Sequence, residues 1–118
     1  MSSISLDPIR ESHPDLSEVT SGVSGWLTAR PHREFLDSRA IFRDLGGEFT
    51  AEEIVNFFAA LKASGLVLVF FRIVDDQGSF IEGKYDRLDD VPDDEEDTSG
   101  EPFNVGRSNI VQVYEFRS

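Results

Sequence analysis

The stretch that decides the fold runs from residue 49 to residue 85 and reads FTAEEIVNFFAALKASGLVLVFFRIVDDQGSFIEGKY. Thr50 and Glu53 have the spacing of a capping box, in which each side chain binds a backbone N–H that the first helical turn leaves unpaired. Apolar residues then recur every three or four positions, which indicates one buried face. Gly65 stands where a left-handed residue ends many helices. The pattern therefore predicts a helix from Thr50 to Ser64.

A β-hairpin is predicted directly after this helix. Leu66 to Phe71 is an unbroken run of apolar residues, most of which favour strands. Asp75 to Gly78 has the composition of a turn, and Ser79 to Tyr85 has that of a return strand. Because the first run does not alternate with polar residues, it is typical of a central strand that is covered on both faces.

The N-terminal part of the chain predicts an arm and a helix. Residues 1–13 are polar with little pattern, so we expect a flexible N-terminal arm. A helix opens at Pro14 and carries apolar residues at helical spacing as far as Leu27. Gly22 and Gly25 lower its helix propensity but permit a neighbouring element to approach closely. The lone Trp26 is expected in the core of the protein.

A short strand and a second helix are predicted before residue 49. Glu34 to Leu36 has the composition of a very short strand. Ser38 to Leu45 is predicted to be a brief helix, capped by Asp37 or Ser38, with Phe42 among its inward side chains. Gly46 and its neighbour then break the chain, which gives two helices joined by a short turn, a helix-turn-helix arrangement.

The C-terminal third divides into an acidic loop over residues 86–102 and a strand within residues 103–118. Eight of the twelve residues from Asp86 to Asp97 are acidic, so mutual repulsion is expected to keep this loop solvated and extended. The strand is expected to join the sheet of a core spanning residues 14–85. The predicted fold class is α+β, with about three helices packed on a small antiparallel sheet of two to four strands.

Composition excludes several classes of protein. At 118 residues with 39% hydrophobic content, the chain is long enough for one domain with its own core. It has no cysteine, so disulfides and thiolate metal sites are excluded. Its apolar runs are too short to cross a bilayer, and the N-terminus lacks the apolar core of a signal peptide, so we expect a cytoplasmic protein. The formal net charge of −12 repels nucleic acids and anionic membranes.

The order helix, short strand, helix, Gly turn, helix, hairpin resembles a winged-helix domain, over roughly Pro14 to Tyr85. In that family the third helix enters the major groove of DNA, and the resemblance assigns Thr50 to Ser64 to it. The turn of the hairpin is the wing that touches the DNA backbone, and here it is Asp75 to Gly78.

The side chains at these two places depart from the chemistry of the family. The turn carries Asp75 and Asp76, and the polar side of the third helix offers Glu52, Glu53, Asn56, Lys62 and Ser64. Entry into a groove would bring carboxylates toward phosphates without any release of counterions. DNA binding through the usual face is therefore disfavoured, and by analogy the scaffold suggests a protein partner.

A search for chemistry yields no catalytic, cofactor-binding or metal-ligating assignment. Both histidines, His13 and His32, adjoin a proline in a predicted loop, which is a poor setting for an oriented base. No nucleophile elbow or phosphate-binding Gly-rich loop is present. The acidic loop does not match the spacing of a calcium-binding EF-hand. We expect a non-enzymatic protein.

The candidate partner-binding residues form three groups. The acidic loop supplies most of them, the third helix supplies two, and the basic segment of residues 30–43 supplies the last two. This last pair is expected either to form a site or to pair with the acidic surface of the chain itself. The candidates are Asp89, Asp90, Asp93, Asp94, Glu95, Glu96, Asp97, Glu52, Asn56, Arg39 and Arg43.

Three functions compete on this evidence. The favoured one is a protein-interaction module, that is, an adaptor, a regulator or a small subunit of a larger assembly. Its partner is expected to be a protein, either a basic one or a second copy of the chain. The second is an acidic inhibitor, such as an immunity protein, an antitoxin or a nucleic-acid mimic that occupies a basic cleft. The third is a DNA-binding transcription regulator that turns Arg39 and Arg43 toward DNA.

Overall fold

The computed structural model describes residues 5–31 and 35–117. Its contacts divide the chain into two units, one within residues 1–68 and 114–118 and the other over residues 69–113. The first unit contains the helices, and the second contains the long connection between the two main strands. The boundary between the units passes through those two strands.

Four α-helices and one short strand build the first unit. The helices are α1 (Asp7–Ser12), α2 (Ser17–Thr28), α3 (Ser38–Leu45) and α4 (Ala51–Ser64), and strand β1 is Phe35–Asp37. Among the described residues, no helix combines the length and the apolar character needed to cross a membrane.

Helix α4 has the caps and the buried face that its sequence predicts. Thr50 Oγ1 accepts a hydrogen bond from the backbone N–H of Glu53 at 3.1 Å, and Glu53 Oε1 accepts one from the N–H of Thr50 at 3.0 Å. Gly65 ends the helix with a φ of 79°, which is the left-handed region. Ile54 and Phe57 are fully buried. The predicted capping box and the glycine stop are both confirmed.

Helix α1 lies where the sequence suggests a flexible arm. Residues 7–12 are helical, and Leu6 and Ile9 are each only 1% exposed. Two apolar residues three positions apart give too short a pattern to predict a helix, but their burial holds the segment against the rest of the unit. Residues 1–4 of the predicted arm lie outside the described residues.

Helix α2 begins later than predicted and makes the close approach expected of Gly22. A 3₁₀ turn at Pro14–Leu16 precedes the first residue of the helix, Ser17. A Cβ on Gly22 would lie 2.6 Å from the ring of Phe49, so only glycine lets this ring reach the helix backbone. The approach also expected at Gly25 is absent, because a Cβ added there would meet nothing within 4 Å. Trp26 is 5% exposed and belongs to the core, as predicted.

Helix α3 follows β1 without a loop. Phe35 and Leu36 of the predicted strand are in β1, and Glu34, with His32 and Arg33 before it, lies outside the described residues. Asp37 is the cap, since its Oδ1 accepts from the N–H of Arg39 at 2.9 Å. One prediction is wrong here: Phe42 is 37% exposed, so it does not point into the core.

Two long strands and one short strand form a three-stranded sheet. Strand β2 is Val67–Ile73, strand β5 is Ile110–Phe116, and the order of the sheet is β1-β5-β2, so β5 is the central strand and β2 lies at an edge. The prediction that the apolar run of β2 is a central strand covered on both faces is therefore wrong, and Leu68 within it is 43% exposed. Strands β2 and β5 are antiparallel, because Arg117 N–H donates to Leu66 O at 2.9 Å at one end and Val74 N–H donates to Asn109 O at 2.7 Å at the other. Helices and a small antiparallel sheet give the α+β class that the sequence predicts.

The prediction of a return strand over Ser79–Tyr85 is wrong, because this segment forms no continuous strand. The turn before it is present, with Gly78 at a φ of 86° and a bond from Asp75 N–H to Ser79 O of 2.8 Å. The segment after the turn makes two isolated bridges, one from Tyr85 to Phe71 in β2 and one from Phe80 to Val74, the residue after β2. Gly83, at a φ of 123°, takes the backbone out of the extended region and interrupts any ladder.

The acidic segment carries a second, two-stranded sheet in place of the extended loop that repulsion suggests. Strand β3 is Asp94–Glu96, strand β4 is Pro102–Asn104, and they pair antiparallel. Asp97 shapes the connection, because its Oδ1 accepts from the backbone N–H of Ser99 at 2.8 Å and of Glu101 at 2.9 Å. An aspartate whose carboxylate accepts hydrogen bonds from nearby N–H groups favours a turn, so the charge of Asp97 stabilises this connection.

Candidate functional site

A groove runs along the exposed face of α4, on the side where α1 and the following 3₁₀ turn lie. Two neighbouring cavities of about 340 and 190 Å³ compose it, and they share some of their lining residues. We call this feature the α4 groove; its lining residues are Pro8, Ile9, Ser12, His13, Asp15, Leu16, Asn56, Ala59, Ala60, Ala63 and Ser64.

Both α4 residues that the sequence selected belong to this face. Asn56 lines the groove, and Glu52 stands one turn earlier on the same side of the helix. Glu52 is exposed, whereas Glu53 holds the cap of the helix. Of the two glutamates in the first turn, therefore, Glu52 alone extends the groove toward the N-terminus of α4.

The charge of the groove is acidic. Asp15 is the one carboxylate among its lining residues, and no lysine or arginine lines it. Glu52 adds a second carboxylate at one end. A cationic ligand is therefore favoured over an anionic one at this surface.

The basic segment before and within α3 is paired inside the first unit. Arg30 and Arg43 both contact Asp44, at 3.4 and 2.9 Å, and Arg39 lies 3.7 Å from Asp37. The internal pairing weighed for this segment is therefore observed for these three arginines, with Asp37 and Asp44 as partners. The acidic segment Asp86 to Asp97 contributes to none of these three pairs. Arg33 lies outside the described residues.

Asp44 is the centre of this basic cluster. Its Oδ2 accepts a hydrogen bond from Trp26 Nε1 at 2.8 Å, and the guanidinium of Arg30 lies 4.2 Å from the centroid of the Trp26 ring. The hydrogen bond from Arg43 and then that from Trp26 lower the pKa of Asp44 from 3.8 to about 2. The cluster thus connects α2 to α3 and uses its charges for structure.

The acidic candidates are distributed over several environments. Asp94 and Glu96 are exposed on β3, and Glu95 between them is half-buried opposite Phe103. Asp97 is occupied by its turn. The exposed candidates that remain are Asp89, which lies 3.6 Å from Arg87, together with Asp90 and Asp93. In the described part of the chain, no three acidic or histidine side chains are grouped as a metal site would require.

The turn after β2 does not present both of its aspartates, as the resemblance to a wing suggests. Asp75 is 5% exposed, and its Oδ1 accepts from the backbone N–H of Ser79 at 2.9 Å. This bond, opposed by burial, lowers the pKa of Asp75. Asp76 remains exposed and accepts from Nδ2 of the buried Asn109 at 3.1 Å.

Asn109 is a structural residue that the sequence does not reveal. Its Nδ2 also donates to Val74 O at 2.9 Å, and its Oδ1 accepts from the N–H of Gly106. These bonds hold the two ends of the long connection in the second unit. An asparagine beside a predicted strand carries no pattern from which this role follows.

Comparison of the chain with protein-family models, with curated proteins and with solved structures finds no match. Any function proposed for the chain depends on the surfaces described above.

Proposed function

We propose that the chain is a non-enzymatic, cytoplasmic protein-interaction module, that is, an adaptor, a regulator or a small subunit of an assembly, on a winged-helix-like scaffold. One observation carries the proposal: the outer face of α4 offers Glu52, Asn56 and small apolar residues, while the nearby arginines of α3 are paired with Asp37 and Asp44. A surface of this kind suits a polypeptide better than a phosphate backbone.

The order of the elements supports the scaffold part of the proposal. Helix α2, strand β1, helix α3, the Gly46–Gly47 turn, helix α4 and strand β2 follow one another in the order expected of a winged helix. The long connection from β2 to β5 takes the place of a short wing.

An exposed apolar side chain adds to the case for a protein partner. Val55, on the outer side of α4, is 54% exposed. A single exposed valine is ordinary on a surface. Beside a groove in which six of the eleven lining residues are apolar, however, it enlarges the area that a partner would bury.

Recovery of a partner tests the proposal. The affinity-tagged full chain is purified from the cells that encode it, and mass spectrometry identifies proteins that are retained stoichiometrically. We expect at least one such protein, and we expect the double variant Glu52→Arg with Asn56→Arg to lose it. The matched control, Asp89→Arg with Asp90→Arg, changes exposed acidic residues elsewhere and should retain it. A chain that retains no protein and stays a monodisperse monomer at high concentration would contradict the proposal.

A second candidate function is an acidic inhibitor that occupies a basic cleft, and β3 favours it. This strand presents Asp94 and Glu96 as exposed side chains from a regular hairpin. The variant Asp93→Asn, Asp94→Asn, Glu95→Gln, Glu96→Gln separates the two functions. If the chain is an inhibitor, this variant should lose its partner, and the affinity of the native chain should fall steeply as the salt concentration rises. If the chain binds its partner through α4, neither result is expected.

A further inference from the structure

We propose that the α4 groove binds a basic amphipathic helix of a partner protein. This inference rests on the proposed function, because it assigns that function a surface and a class of ligand. Six of the eleven residues that line the groove are apolar, Asp15 is its one carboxylate, and no lysine or arginine lines it.

The dimensions of the groove fit a helix of a few turns. Its lining extends along α4 from Asn56 to Ser64, nine residues that span about 12 Å at the helical rise. Two adjoining cavities of about 340 and 190 Å³ give room for apolar anchors from consecutive turns of one ligand helix.

The walls of the groove allow the close approach that helix packing requires. Ala59 and Ala63 are exposed along α4, and Ala60 beside them is 7% exposed. With alanines at the contact, a second helix axis can reach the lower end of the usual interaxial distance, about 8 Å. Opposite them, the exposed Pro8 lies in the other wall, and Leu16 beside it is 6% exposed.

Charge decides which amphipathic helix fits. Asp15 lies in the wall, and Glu52 lies one turn beyond Asn56 on the same face of α4. The net charge of −12 attracts a cationic ligand from a distance. A ligand helix with apolar residues on one side and lysine or arginine along its borders therefore matches the groove, whereas an acidic helix of the same apolar content does not.

Two synthetic peptides serve as probes for this surface. One is a fluorescein-labelled peptide of about 14 residues in which leucines recur every three or four positions and lysines occupy the positions between them. As a helix it is long enough to span the groove. The other replaces every lysine with glutamate. Fluorescence anisotropy with the full chain at physiological salt measures affinity, and backbone NMR of the labelled chain locates the site. We expect the lysine peptide to bind and to shift the amide signals of His13, Asn56, Ala59 and Ala63.

A pair of alanine variants makes the test specific. Ala59→Arg introduces a long cation into the groove and should weaken the lysine peptide by about tenfold or more, which corresponds to 1.4 kcal/mol. Ala29→Arg places the same cation on an exposed residue at the end of α2 and should change the affinity less than about twofold, since it lies outside the lining. Arginine is a good helix former, and circular dichroism checks that both variants fold.

Three results would overturn the groove proposal. The first is equal binding of the acidic peptide, the second is an affinity that Ala59→Arg does not change, and the third is no binding of the lysine peptide. Peptide-induced shifts confined to residues 93–97 would also refute it and would favour the acidic hairpin. Each of these leaves the proposed function standing if the tagged chain still retains a partner, so the two failures are distinguishable.

Discussion

Asp44 shows how single residues hold the first unit together. Its carboxylate joins α2 to α3 by accepting from Trp26 Nε1, and it lies close to Arg30 and Arg43. We expect Asp44→Ala to lower the free energy of unfolding by about 1–3 kcal/mol, because the buried indole loses its charged acceptor. Urea denaturation at pH 7, followed by tryptophan fluorescence, measures the change.

Asp89→Ala is the control for that substitution, because it removes the same charge from another ion pair. Asp89 lies 3.6 Å from Arg87, and the two side chains are 87% and 74% exposed. Exposed pairs of this kind contribute less than about 1 kcal/mol. Equal destabilisation by the two variants would mean that the Trp26 contact adds nothing.

The contribution of Asp44 to the free energy of unfolding should also depend on pH in a defined direction. The folded pKa of about 2 lies below the ordinary 3.8, so the folded chain binds this proton less readily than the unfolded chain. The ionised carboxylate therefore stabilises the fold above about pH 4, and this contribution is lost as the pH falls from 4 through 2. The difference in unfolding free energy between the native chain and Asp44→Ala should shrink across that window. A difference that is constant from pH 6 to pH 2 would contradict it.

At the scale of elements, α4 is defined by how it ends. Gly65 has a φ of 79°, and a Cβ added there would meet nothing within 4 Å. Gly65→Ala should therefore destabilise the protein by about 1–2 kcal/mol through backbone strain alone. Gly47→Ala is the matched control, because its surroundings are equally open and its φ is not in the left-handed range. Thermal unfolding of both variants decides, and an equal loss in the two would exclude strain as the cause.

The elements that the sequence predicts well are those whose signals are local. The cap at Thr50 and the stop at Gly65 predict α4 almost to the residue, and the cap candidates Asp37 and Ser38 predict the start of α3 to within one residue. The return segment after Gly78 has strand composition, yet β2 takes β5 as its long partner, because pairing across a long connection leaves no local pattern.

The candidate site could be predicted only in part for the same reason. Glu52 and Asn56 follow from the polar side of a predicted helix. The opposite wall depends on α1, whose short apolar pattern around Ile9 becomes a helix only when it packs against its neighbours. A groove formed by two segments far apart in the sequence is a tertiary property, so the residues of one segment cannot reveal it.

At the scale of the whole molecule, the sign of the charge separates a protein ligand from DNA. The chain carries 23 acidic and 11 basic residues, and the arginines of α3 that a DNA-binding reading would use, Arg39 and Arg43, contact Asp37 and Asp44. Coulomb repulsion and the lack of counterion release both oppose contact with a duplex.

A mobility-shift assay with a duplex of random sequence tests this expectation under the most permissive condition, about 50 mM salt, where phosphate contacts are strongest. We expect no retarded band up to micromolar protein. A lysine-rich peptide on the same duplex is the positive control for the assay. A band that appears with the native chain and disappears with Arg39→Ala and Arg43→Ala together would reverse the conclusion, because those arginines would then leave their carboxylate partners to bind phosphates.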